Sequence, residues 1–111
     1  MKVKFTKHFP PGNFRCINLF GTLFYKGKPP VRQKTLNHEG THTEQMKELW
    51  YVPFYLLYGL EWVIRLFTDS GRAYRRISFE QEAYANQSNA KYNATREKYA
   101  WRHYLWWGSK N

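Results

Sequence analysis

Residues 2–6, "KVKFT", alternate polar and apolar side chains, the period of a half-buried β-strand. A turn-forming "PPGN" follows at 10–13, since Pro fixes φ and Gly permits φ > 0. The β-branched and aromatic stretch "FRCINLFGTLFYKG" (14–27) then predicts a bent strand or a strand pair around Gly21, ended by "KPP" at 28–30. From Val31 or Thr35 the chain turns to helix formers, and "TLNHEGTHTEQMKELWYV" reads as one helix running to Pro53. A second helix is expected over 54–67, "FYLLYGLEWVIRLF", apolar almost all round and so expected in the core. "TDSGR" (68–72) reads as a turn and "AYRRIS" (73–78) as extended or irregular. Ser78, with Gln81 three residues on, has the pattern of a capping box. From Phe79 a long helix is expected to reach about Leu105, with Phe79, Ala83, Ala90, Ala94, Trp101 and Leu105 on its buried arc. The order predicts an α+β fold: a small N-terminal sheet, then three helices, in one domain spanning 1–111.

Composition agrees with a packed chain. Of its 111 residues, 42% are hydrophobic and 20% aromatic, which argues against disorder. Charge narrows the partners. Eighteen Lys and Arg against 8 acids leave a net +10, which favours anionic surfaces such as nucleic acid or an acidic membrane. The lone Cys16 has no internal disulfide partner, and "MKVKFTKHFPPG" lacks an apolar signal core, so a cytoplasmic location is expected.

Candidate chemistry sits at 38–42, His-Glu-Gly-Thr-His. On a helix, residues four apart lie one turn above each other with Cβ atoms about 5–6 Å apart, so the imidazoles of His38 and His42 can meet one metal ion. Glu39, rotated by about 100°, does not compete for the ion but can reach a water held there. Gly40 costs the helix about 1 kcal/mol relative to Ala, tolerable where a substrate or strand passes close by.

A catalytic zinc site needs a third protein ligand. Glu61, Glu80, Glu82, Glu97 and His103 are the downstream candidates. Glu80 and Glu82 point about 200° apart on a helix, so only one can face the metal. Glu80 borders the apolar arc beside Ala83 and Tyr84, whereas Glu82 falls with Asn86, Asn89 and Asn93 on the polar side. Glu80 is therefore the expected ligand and Glu82 the alternative. His8 and His103 read as surface or packing residues.

His-Glu-x-x-His followed by a helix bearing Glu-x-x-Ala resembles the gluzincin class of zinc metallopeptidases, especially small single-domain zincin-like members, over about residues 36–90. The resemblance implies a zinc (Zn²⁺) site held by His38, His42 and Glu80, with Glu39 as general base and a peptide or protein as substrate. It also implies a small sheet whose edge strand, here within 14–26, receives the substrate by strand addition. Where the class often has Asp four residues after the ligand glutamate, this chain has Tyr84.

Two features support other readings. The run 49–67 is 19 residues long, near the roughly 20 of a membrane crossing, but it contains Pro53, Gly59, Glu61 and Arg65. A core helix is expected there, with a membrane-spanning or membrane-surface helix as the alternative. Clusters such as Lys2, Lys4 and Lys7, or Arg72, Arg75 and Arg76, interleaved with aromatics, would suit a non-enzymatic nucleic-acid- or membrane-binding module. In that reading the His-Glu-x-x-His is incidental.

Overall fold

The computed structural model describes residues 2–105. The alternating N-terminal segments form β1 (Lys2–Thr6), β2 (Cys16–Leu19) and β3 (Thr22–Lys26). Phe20 and Gly21, at φ 53° and 90°, make the two-residue turn between β2 and β3, where positive φ lets the turn follow the twist of the strands. The 14–27 stretch is thus a strand pair. β1 joins the other side of β3 in parallel, so the order is β1-β3-β2 and β2 is an edge.

Five helices follow: α1 (Gln33–Glu48), α2 (Val52–Thr68), α3 (Ala73–Arg76), α4 (Ser78–Asn86) and α5 (Tyr92–Thr95). Short 3₁₀ turns at Ser70–Arg72 and Ala100–Tyr104 complete an α+β chain. Trp50 and Tyr51, both at positive φ, turn the backbone between α1 and α2, and Pro53 lies in the first turn of α2, where a missing N–H costs nothing. "AYRR" is helical rather than irregular; only Ile77, at φ −58° and ψ 133°, is extended.

Three expectations about α2 and α4 are corrected. Ser78 is not an N-cap: its N–H and Oγ both donate to the Glu61 carboxylate, at 2.6 and 2.7 Å, so a side chain from α2 caps the start of α4. Gln81 instead donates from Nε2 to the Arg76 carbonyl at 2.7 Å. The long helix to Leu105 ends at Asn86, because asparagine side chains take over backbone partners. Asn86 Nδ2 donates to the Glu82 carbonyl at 2.9 Å, and Asn89 Oδ1 accepts from the Lys91 N–H at 3.0 Å. The chain then folds back, leaving Ala90, Ala94 and Leu105 exposed, while Trp101 returns to pack its ring 4.9 Å from that of Phe79. Finally, α2 is not a core helix. Phe54 alone is fully buried, in the cluster of Met46, Phe54, Ile77 and Phe79, with Tyr55 and Tyr58 half-buried against it, and the remaining apolar side chains face outward. Among the described residues, no helix is long and apolar enough to cross a membrane.

Candidate metal centre

His38 and His42, one turn apart on α1, have ring centroids 4.9 Å apart and both face α4. Their Nε2 atoms lie 3.0 and 3.2 Å from Oε1 of Glu80, which is 2% exposed. Donor atoms about 2.0–2.1 Å from a tetrahedral ion stand about 3.3 Å from one another, close to these separations. All three donor atoms lie within 4.8 Å of one another, and the buried group could hold a metal ion. His42 Nε2 adds a second sign. It is buried, and beyond its 3.2 Å approach to the Glu80 carboxylate it has no hydrogen-bond partner among the described residues. A buried polar atom left so costs about 1–3 kcal/mol, which a bound cation would relieve.

Both imidazoles are held by glutamines. The Gln45 amide Nε2 donates to the Phe79 carbonyl and to Glu82 Oε1, each at 3.0 Å, which leaves its Oε1 facing His42 Nδ1 at 2.8 Å. Nδ1 must therefore carry a proton, so that when the ring is neutral it is Nε2 that presents a lone pair to the site. Gln87 Oε1 faces His38 Nδ1 in the same way at 2.8 Å. Support that Tyr84 cannot give as a carboxylate comes from these two amides, while the Tyr84 ring packs edge-on against His38 at 4.6 Å. Neither glutamine is in the expected ligand set, although spacing carries a signal. Gln45 stands one turn after His42, and Gln87 two turns after Glu80.

Glu82 is not on a polar face. It is fully buried and lies away from the imidazoles, bonded to Gln45, to Tyr92 Oη at 2.6 Å and to Arg96 Nε at 2.8 Å. Arg96 also reaches Glu48 at 2.7 Å. The amphipathic arc misplaces Glu82 because the α5 region folds over the side of α4 expected to meet water. Likewise Gly40 faces no substrate. A Cβ there would come within 3.0 Å of Asn93 Nδ2, whose amide bonds the Asn37 carbonyl. Tyr58, from α2, donates to Glu80 Oε2 at 2.6 Å. His103 pairs with Glu97 on the surface and His8 is exposed, so neither joins the site.

Electrostatics separate the two glutamates. Burial disfavours the Glu80 charge, but His42 and His38 outweigh it and hold the carboxyl well below the usual range. Burial raises Glu39, the histidines only partly offset this, and Glu80 adds to it. For His42 burial works against protonation, yet the Glu80 carboxylate wins and pushes it up to about 10. Two recesses meet at Cys16, Glu39 and Tyr74. One, about 350 Å³, is walled by Phe14, Ile17, Met46, Phe54 and Tyr55 and reaches His42 and Glu80; the other, about 310 Å³, has Arg15, Arg32 and Lys34 around His38. Burial, with Glu39 adding, pushes the Cys16 thiol up to about 11, so it stands there protonated and is a poor nucleophile.

The edge strand β2 runs beside this cleft, tied to α1 by Asn18 Nδ2 donating to the Glu39 carbonyl at 3.0 Å and to Thr43 Oγ1 at 2.9 Å. The Lys26 N–H donates to the Arg15 carbonyl at 2.8 Å, and Cys16 aligns with Tyr25. Antiparallel alternation therefore turns the Cys16 N–H and C=O away from β3, towards the open edge. Comparison with known proteins returns no match to a family model, a curated sequence or a solved structure.

Proposed function

We propose that this protein is a zinc-dependent metallopeptidase. The observation that carries the reading is the convergence of His38 Nε2, His42 Nε2 and Glu80 Oε1 in a buried group, with Glu39 in the adjoining cleft. Two imidazoles and one carboxylate are a donor set of catalytic zinc, which leaves a coordination position open. Bound there, zinc would supply Lewis acidity, acidifying a water and polarising a carbonyl. Glu39 would take the water's proton and return it to the leaving amine. Burial raises its pKa, the direction that favours a carboxylate taking up a proton from water. The edge of β2 at Cys16 would hold the substrate backbone by strand addition, and the apolar recess beside it would accept one apolar side chain. Two buried imidazoles, each hydrogen-bonded to a glutamine and facing one carboxylate, support this reading over one that makes the motif incidental. A cytoplasmic location is the reading the lone cysteine favours.

Elemental analysis of purified protein should give close to one zinc per chain, and His38→Ala should lose it. Glu39→Gln should keep the metal and lower peptide hydrolysis by about 10²–10⁴-fold. Undiminished hydrolysis in that variant would remove Glu39 from the role of base, and metal-free protein after refolding with zinc would remove the reading altogether.

A further inference from the structure

We infer that the outward face of α2 is a docking surface for an anionic phospholipid bilayer, lying in the plane of the membrane surface without crossing it. Wound at 100° per residue, the exposed side chains run from Trp62 through Leu66, Val63, Phe67 and Leu60 to Leu57, an arc of about 220° with no charge in it. The only ionic residues of the helix, Glu61 and Arg65, are turned inward to Ser78 and Asp69. Phe67 is 88% and Leu56 69% exposed, a contiguous apolar surface of the kind that marks a binding face.

Width and charge choose the occupant. A partner helix covers a stripe of about 100°, which would leave half of this arc in water, whereas a helix in a bilayer interface sinks its apolar side about 5–10 Å among the acyl chains. Charge complementarity points the same way. Three of the acids are held by arginines, Glu48 and Glu82 by Arg96 and Asp69 by Arg65 and Arg76, within a chain of net +10. Just after α2 in the chain, the exposed Arg72 and Arg75 line a recess of about 700 Å³ that could take lipid phosphates, whereas Arg76 is held by Asp69. At the other end Trp50 is 83% exposed at φ 57°. The turn between α1 and α2 thus presents an exposed indole, a side chain suited to a headgroup boundary.

The test is co-sedimentation of the full chain with vesicles of phosphatidylcholine alone and of phosphatidylcholine with phosphatidylglycerol. Wild-type protein should pellet with the anionic vesicles. Leu60→Glu combined with Val63→Glu should weaken that by about tenfold or more. Both positions are half-exposed, so the thermal midpoint should hold; a milder Leu60→Ser change serves if the double variant does not fold. Arg72→Glu should reduce binding to anionic vesicles and leave the zwitterionic arm unchanged. Wild-type protein that stays in the supernatant, or a double variant that pellets equally well, overturns the proposal. So does a lipid-free dimer, seen by light scattering, that the double variant dissolves while vesicles are ignored; the face would then belong to a second copy.

Discussion

Replacing Gln45 by alanine tests how far the His42 imidazole depends on its neighbour. The amide leaves Nδ1 no choice but to donate, and without it the ring can rotate or carry its proton on Nε2. Metal affinity should fall by about 10–100-fold, measured by competition with a chromophoric chelator, with the fold intact by circular dichroism. Proton release is a second expectation at this scale. In the metal-free chain His42 stays protonated up to about pH 10, against an ordinary 6.5, because Glu80 holds it. The stability this pair contributes is complete below 6.5 and is lost as pH rises through about 10. A metal needs the neutral ring, so between those limits zinc should displace about one proton per chain. Calorimetric titration in buffers of different ionisation enthalpy measures it, and no release would mean His42 is neutral beforehand.

Among the elements, the region around α5 is tied by Tyr92 and Asn93 and, through a buried ion pair, by Arg96. Arg96, 4% exposed, joins Glu48 at the end of α1 to Glu82 in the middle of α4. Arg96→Met would strand two carboxylates away from water and should cost about 3–5 kcal/mol, read from urea unfolding. The effect should spread, because Glu82 also fixes Gln45 and through it His42. A fall in metal affinity together with stability would show the relay, and lost stability with unchanged affinity would show that Gln45 is held well enough by the Phe79 carbonyl. The start of α4 depends on α2 in the same manner. Glu61→Ala removes both bonds to Ser78, and about 1.5–3 kcal/mol should go with them.

Across the whole molecule the candidate metal would act as a cross-link. His38 and His42 come from α1 and Glu80 from α4, separated by some forty residues of chain, including all of α2. Zinc at about a hundredfold above its dissociation constant should stabilise the folded chain by about 2.7 kcal/mol, and a chelator should reverse the rise in thermal midpoint. A midpoint indifferent to zinc would mean that the three donors do not act on one ion. The basic balance is also a property of the whole. Internal pairs take arginines as well as acids from the surface, three of each, so its balance stays near the net +10.

By itself the chain's sequence determined what depends on neighbours a few residues apart. The i, i+4 spacing of His38 and His42 and the hairpin at Gly21 are consequences of backbone geometry, which travels with the residues, whereas the first helix ends at Glu48 rather than at Pro53, which lies in the first turn of α2. Tertiary structure alone decided which side of α4 is interior, since that depends on what folds over it. It buried Glu82 under Arg96 and Tyr92, ended the helix at Asn86 and turned the apolar arc of α2 outward. Hydrophobic periodicity reports that a face needs covering. Only the packed chain shows which faces it has enough material to cover.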